Sequence, residues 1–227
     1  MPDPVHLRPA APLAERVLLP GDPHRALLVA QELLDQPKMF NHARGLWGYS
    51  GTAADGQPLS VQSTGMGGPS AAIVIEELID LGARVLVRIG TCGALVGGFD
   101  LGELVSAREV IPADGASAAL GAPGALRPDP ALADALHARE ATAVSTDLFY
   151  DAREEMEARW VGQGAEVVEM EAATLLAIAE KRGVRAAVLL AVSDLLAGDD
   201  RTRIRPDELE AAGLELGKTA YAAVKDS

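Results

Sequence analysis

At 227 residues the chain is long enough to bury a full core as one large α/β domain, residues 1–227. Hydrophobic content of 48% with only 4% aromatics predicts a core of Ala, Val and Leu. A formal charge of −13 argues against nucleic acid or an anionic membrane as partner, since both need basic surface, but leaves room for a local basic pocket lined by Arg25, Arg44 and Arg88. The single cysteine, Cys92, rules out an internal disulfide and fits a reducing cytoplasm. No charged-then-apolar leader and no apolar run long enough to span a bilayer is seen, so a soluble, cytoplasmic protein is expected.

Residues 1–12, rich in Pro and Ala, read as an extended arm. Residues 16–19 read as a first strand, stopped by Pro20-Gly21, and residues 24–34 carry helical spacing. Two or three antiparallel strands are expected over 40–63, with Ala54-Asp55-Gly56 as a hairpin turn. Gly65-Met66-Gly67-Gly68-Pro69-Ser70 opens a helix to about Leu81. A buried strand at 85–89 precedes a Gly-rich turn at 90–98, and another strand follows at 104–111. Residues 112–128 read as loop. Helical patterns at 130–139 and 151–163 bracket a short strand ending at Ser145-Thr146-Asp147. A helix over about 171–181, a strand over 186–192, a charged loop over 195–206 and a helix over 206–224 complete the chain. Alternating strands and helices predict an α/β fold with a mixed, mainly parallel central sheet flanked by helices.

The chemistry concentrates where apolar strands end. Val168-Glu169-Met170-Glu171 heads an apolar helix, and Ser193-Asp194 closes the strand Ala186-Ala187-Val188-Leu189-Leu190-Ala191. Such strands deliver polar side chains to a crevice at the carboxyl edge of a parallel sheet. Two acids meeting there suit a sugar-and-base ligand, one binding hydroxyls and the other handling a proton. Gly21 and Arg25, in a turn running into a helix, suit an anion, although an ordinary turn with an exposed Arg reads equally well. Arg88 is a charge inside an apolar strand and needs an anion, either a ligand or a structural carboxylate. Glu169 and Glu171 have a plain alternative as an acidic first turn facing the helix dipole. Phe149, one of three Phe, suits either base stacking or core filling. Anion, polyol and proton transfer together suggest phosphorolysis of a nucleoside.

In this order the motifs resemble a known family, the nucleoside phosphorylases that include hexameric bacterial purine nucleoside phosphorylase and uridine phosphorylase. Leu19-Pro20-Gly21-Asp22-Pro23-His24-Arg25, Arg44-Gly45-Leu46-Trp47-Gly48, Thr64-Gly65-Met66-Gly67-Gly68-Pro69-Ser70, Arg88-Ile89-Gly90-Thr91-Cys92-Gly93-Ala94, Asp147-Leu148-Phe149-Tyr150, Val168-Glu169-Met170-Glu171 and Val192-Ser193-Asp194 carry the resemblance nearly end to end. It implies phosphate binding by Gly21, Arg25, Arg44, Arg88 and Thr91. It implies ribose binding by His6, Met66, Met170 and Glu171, and base contacts from Cys92, Gly93, Phe149, Val168, Glu169 and Ser193. Asp194 is implied as the acid at purine N7. His6 and Arg44 are implied to serve a neighbouring subunit's site in a hexamer built as a trimer of dimers. The substrates implied are a purine nucleoside and inorganic phosphate, with no other cofactor and no metal.

Two stretches depart from the family pattern. The segment between Pro130 and Phe149 is shorter, and the 195–206 loop leaves Arg201, Arg203 and Arg205 as alternatives for an arginine assisting the acid. Uridine phosphorylase is favoured by Thr91 but opposed by Asp194 and by the absence of an insert before the Glu-Met-Glu motif. A nucleosidase using water would have no use for three phosphate-type arginines, and a non-catalytic nucleoside-binding module no use for the full acid set.

Overall fold

The computed structural model describes residues 4–153, 155–198 and 201–225, so residues 1–3 of the expected arm, residue 154 and residues 199 and 200 of the charged loop lie outside the description. Strand β1 (Arg16–Leu19) leads into α1 (Pro23–Leu33), where the Asp22 side chain accepts the His24 N–H and Pro23 supplies a preset first-turn φ. β2 (Leu34–Asn41), β3 (Gly48–Ala53) and β4 (Pro58–Gln62) form an antiparallel run. α2 (Gly68–Asp80) follows, then β5 (Val85–Ala94), β6 (Leu104–Ala113) and the short α3 (Gly115–Ala119). α4 (Pro130–Ala135), β7 (Arg139–Thr146), α5 (Glu155–Gly162), β8 (Val167–Glu169) and α6 (Ala172–Arg182) come next. The chain ends with β9 (Arg185–Leu195), β10 (Thr202–Arg203) and α7 (Pro206–Val224).

The strands form one sheet in the order β10-β9-β6-β7-β8-β5-β1-β4-β3-β2, with β9 also pairing β5. That extra pairing closes β9, β6, β7, β8 and β5 into a ring, while β1, β4, β3 and β2 extend from it as a wing. Among the described residues five strand pairs are parallel and five antiparallel, and the two longest ladders, β5–β9 and β6–β7, are parallel, so the sheet is mixed as expected and not purely parallel. The antiparallel pairs lie in the β2–β4 run, at β10 and at the reversals that close the ring.

β5 and β9 pair in parallel and are buried on both faces, as their unbroken apolar runs require. Leu86, Val188 and Leu190 face the larger core with α2 and α6; Val87, Ile89, Ala187 and Leu189 face the core under α1 and α7. Arg88 therefore sits on the face of the larger core.

Several boundaries differ from expectation. β5 does not stop at Ile89 but continues to Ala94, because β9 pairs with it throughout; the supposed Gly-rich turn begins only after the motif. The 112–128 loop contains α3, whose start is capped by Asp114 accepting the Ser117 N–H at 2.9 Å. The helix expected over 130–139 ends at Ala135, β2 starts directly after α1, and the charged loop contains β10, paired antiparallel to β9. The N-terminal arm is pinned rather than loose: Leu7 is fully buried, and Glu77 of α2 accepts the N–H groups of Val5, His6 and Leu7.

Candidate active site

Two chain turns meet at the carboxyl ends of β1 and β4, and Leu19 at the end of β1 pairs with Arg88 of β5. After β1, Gly21 lies against the β4–α2 connection: its carbonyl accepts the Gly65 N–H at 3.1 Å, and a Cβ on Gly21 would stand 3.1 Å from the Gly65 carbonyl oxygen. Gly65 has φ +73, a conformation that favours glycine. At the tip, Met66 is 85% exposed.

Arg25 extends from α1 along Gly213 of α7, where a side chain would come within 3.3 Å of its Nε. Burial lowers its pKa; Asp22 opposes that and the nearby Arg88 adds to it. Among the described residues no carboxylate forms an ion pair with Arg25.

Arg88 lies inside β5, and its guanidinium folds back over Gly90, where a Cβ would meet Nη2 at 2.6 Å. Gly90 is thus required by the close approach of a charged group. Arg88 Nε donates to Glu169 Oε2 at 2.9 Å, and Nη2 pairs with Glu171 Oε2. Nη1 is buried with no partner. Burial alone would lower the Arg88 pKa, but Glu171 and Glu169 outweigh it and raise it. Leu19, Thr64, Arg88, Glu171 and Leu175 line a crevice here too narrow to hold a water molecule. The two readings of Arg88 from sequence are therefore not exclusive: it is ion-paired within the chain and still holds one free donor.

Glu171 is the residue before α6, and its Oε1 accepts the Gly67 N–H at 2.5 Å. Burial raises its pKa, Arg88 pulls it down, and Glu169 raises it further. Glu169, expected at the base, is instead enclosed. Its carboxylate accepts from Arg88, from Ser145 Oγ and from the N–H groups of Glu171 and Ala172, and its side chain is 0% exposed. It caps α6 and holds the site's framework, leaving no free edge for a ligand.

Asp194 owes its position to a bulge. Cys92 pairs with Val192 but Gly93 with Asp194, so Ser193 has no opposite residue. Such an insertion re-aims the side chains around it. Ser193 Oγ lies 2.7 Å from Asp194 Oδ2 and 3.2 Å from the Cys92 carbonyl. On the other side β10 brings Arg203 opposite Asp194, with Nε 3.6 Å from Oδ1. Arg201 instead pairs with Glu157 and Arg205 with Asp207, which settles the geometry among the three arginines. Gly93 also pairs with Val168 of β8, and a Cβ on Gly93 would strike Leu196 at 2.6 Å. Gly93, Val168, Ser193 and Asp194 are thus gathered by register. Thr91, partly exposed, pairs with Ala191. Cys92 is 3% exposed and burial pushes its thiol pKa up, so its side chain belongs to the core.

Among the described residues no side-chain bond ties His6, Arg44, Phe149 or Met170 to this cluster. His6 is bound to Glu77. Arg44 is exposed in a 3-10 turn with φ 58. Phe149 is 59% exposed, its ring 5.0 Å from Tyr150 in an edge-on contact. Met170 is half-buried. Sequence reasoning missed Ser145, Asp114 and Thr174. Thr174 Oγ1 donates to Asp114 at 2.8 Å, and Ser145 Oγ accepts the Ala173 N–H at 2.8 Å, so they tie the α6 start to the cap of α3 and to β7. Ser145-Thr146-Asp147 ends an apolar strand just as Ser193-Asp194 does, a signal that would have found Ser145. Among the described residues no three His, Cys, Asp or Glu side chains gather as a metal cluster.

Arg88 thus lies beside Glu169 and Glu171, with Arg25 close enough to feel its charge, and Asp194 is flanked by Ser193 and Arg203. The chain belongs to the phosphorylase superfamily, whose sequence model matches residues 15–226. It is similar to a protein of Clostridium beijerinckii named purine nucleoside phosphorylase DeoD-type, 40% identical over 209 residues covering 84% of this chain and 85% of that one. A protein of the same name from Caldanaerobacter subterraneus subsp. tengcongensis is 38% identical over 202 residues, covering 84% and 87%. Another from Bacillus cereus is 35% identical over 204 residues, covering 84% and 86%.

Proposed function

We propose that this protein is a purine nucleoside phosphorylase, a pentosyltransferase that converts a purine (deoxy)ribonucleoside and phosphate to the free base and (deoxy)ribose 1-phosphate. The observation that carries the reading is the pair of guanidinium groups with open donors: Arg25 without an ion-pair partner among the described residues, and Arg88 with a buried, unpartnered Nη1. A buried charged donor left unpaired is costly, and a phosphate oxygen satisfies it with a charge-assisted bond. Burial first and the like charge of Arg88 after it lower the Arg25 pKa, and a bound anion would favour its charged form.

Gly21 and Thr91 complete the phosphate side of the site. Glu171 and Met170, with Met66 across from them, take the ribose, and Gly93, Val168, Ser193 and Phe149 border the base. Phosphate attacks C1′ as the bond to the base breaks. Asp194 donates a proton to N7 of the departing purine, and Arg203 beside it orients the carboxyl and balances the charge left after transfer. Inorganic phosphate is the co-substrate, and no other cofactor enters the reaction.

Arg44 and His6 serve the site of a partner subunit, so the working form is an oligomer, a hexamer built from dimers, of a single-domain cytoplasmic enzyme. Inosine, guanosine, adenosine and uridine, each assayed with and without phosphate, test the reading. Purine turnover that requires phosphate supports it. Phosphate-independent turnover assigns a nucleosidase, and preference for uridine assigns a pyrimidine enzyme.

A further inference from the structure

Four charged side chains of the site are buried together: Arg88, Asp114, Glu169 and Glu171 are each at most 6% exposed. Arg88 pairs with Glu169 and Glu171, and Asp114 joins them from the start of α3, where Thr174 of α6 donates to it. Asp114 and Glu171 meet successive residues at the start of α2. Glu171 accepts the Gly67 N–H at 2.5 Å, and a Cβ on Gly68 would stand 2.8 Å from Asp114 Oδ2. Arg25 is the next cation, close enough to feel the charge of Arg88. Three carboxylates thus face two guanidinium groups, and the cluster is short of positive charge before any ligand enters.

The three acids are not equally supplied with donors. Glu169 accepts from Arg88, from Ser145 Oγ and from the N–H groups of Glu171 and Ala172. Asp114 accepts from the Ser117 N–H, the Ser117 hydroxyl and Thr174 Oγ1. Glu171 has Arg88 Nη2 and the Gly67 N–H. Burial raises the Glu171 pKa, Arg88 pulls it down, Glu169 raises it, the Gly67 N–H lowers it and Asp114 raises it again, which leaves it above the ordinary carboxyl value. A dianion at Arg88, whose Nη1 has no partner, adds negative charge beside this carboxylate and draws on the same guanidinium. Both effects favour the neutral carboxyl. The arginines stay charged throughout and cannot absorb the change.

We infer that Glu171 takes up a proton when a tetrahedral dianion binds at Arg88, so that anion and proton enter the site together. The inference rests on the phosphate-site reading above. The proton comes from solvent and adds to a carboxylate oxygen of Glu171; no bond of the anion forms or breaks. Linkage fixes the sign: a ligand that raises a group's pKa binds more tightly where that group is protonated. Anion affinity is therefore highest and constant below the Glu171 pKa of the free protein. It falls by about tenfold per pH unit above that value and levels off again above the pKa of the complex.

The test uses inorganic sulfate, which has the shape and charge of the phosphate dianion and brings no proton of its own. Calorimetry in buffers of different ionisation enthalpy counts the protons taken up. The parent should take up about one proton per sulfate where the affinity is falling with pH. Glu171→Gln, checked for folding by thermal melt, should take up none and should bind sulfate with an affinity independent of pH. At high pH it should hold sulfate more tightly than the parent, whereas loss of a merely structural residue would weaken binding. Difference infrared spectra of the parent need no variant: sulfate should bring up a protonated-carboxyl band that moves when glutamate is labelled with carbon-13 at the carboxyl. Sulfate bound by the parent without proton uptake overturns the inference, as does uptake unchanged in Glu171→Gln or a band that the glutamate label leaves in place. Uptake with inorganic phosphate but not with sulfate also overturns it, since the proton then rides on the phosphate. Failure of the parent to bind either anion strikes instead at the phosphate-site reading, a result distinct from binding without a proton.

Discussion

Arg88 and Arg44 carry the same charge in opposite surroundings. Arg88 is buried in β5 between Glu169 and Glu171, on a backbone fixed by strands on both sides. Arg44 stands exposed at φ 58 in a 3-10 turn, near the partly exposed Trp47, and makes no ion pair among the described residues. Burial obliges a charge to find partners, so the chain supplies its own carboxylates to Arg88. A positive φ in a residue other than glycine costs energy, and here the turn that holds Arg44 is tied by the Asn41 side chain, which bonds the Ala43 N–H and the carbonyls of Ala43 and Leu46. Arg88 is therefore charge-compensated within a single chain yet keeps one unpartnered donor, whereas Arg44 is exposed with no ion pair among the described residues.

Removing each arginine should expose this difference, and the largest effect belongs to Arg88. In Arg88→Ala, Glu169 and Glu171 lose their buried cation, and breaking a buried pair costs about 3–5 kcal/mol. A thermal melt should show a large fall in stability, and in protein that still folds the phosphate KM should rise far more than the nucleoside KM. An unchanged phosphate KM would leave Arg88 with the framework role alone.

Asp194 stands between the two extremes, part-buried and held by Ser193 and Arg203. Asp194→Ala should lower kcat for inosine by roughly 10²-fold or more, the size of a lost general acid, with a smaller change in KM. A 7-methylated purine nucleoside already carries positive charge and needs no proton, so 7-methylinosine should be cleaved nearly as well as by the parent. Equal losses for both substrates would reduce Asp194 to a structural role.

Arg44→Ala should have the smallest effect on the fold. Its exposed side chain supports nothing nearby, so the melting temperature should stay with the parent's. The phosphate KM should rise by roughly tenfold, the worth of one charge-assisted hydrogen bond of about 1.4 kcal/mol. Mixing Arg44→Ala chains with inactive Glu171→Ala chains, assayed at phosphate far below the Arg44→Ala KM, should raise activity above that of the two separate pools, since some mixed interfaces rebuild an intact site. No rise would place Arg44 in its own chain's site or in none.

The fold was largely legible because its signals are local. Apolar runs mark β5 and β9, Pro and capping residues mark the starts of α1 and α7, and Gly183 in the left-handed conformation ends α6. What the sequence could not show depends on pairing between distant segments. The run of β5 past Gly90 and the closure of β5 on β9 follow from register, which no periodicity records. The site divides in the same way. Residue types marked Arg88 as a charge inside an apolar strand, Glu171 at the head of an apolar helix and Asp194 at a strand end. The framework role of Glu169 needed the α6 N–H groups and Ser145 brought beside it, and the choice of Arg203 over its neighbours needed the β10 pairing. The anchoring of His6 by Glu77, seventy-one residues apart, was likewise invisible in spacing.

The claim on which the rest depends is that the pentose is transferred to phosphate. Phosphorus NMR of the protein with inosine and inorganic phosphate tests it directly. Loss of the phosphate signal should be matched by ribose 1-phosphate in equal amount to the hypoxanthine released, and leaving phosphate out should stop the reaction. Hypoxanthine released at the same rate without phosphate, with free ribose as the sugar product, would contradict the account.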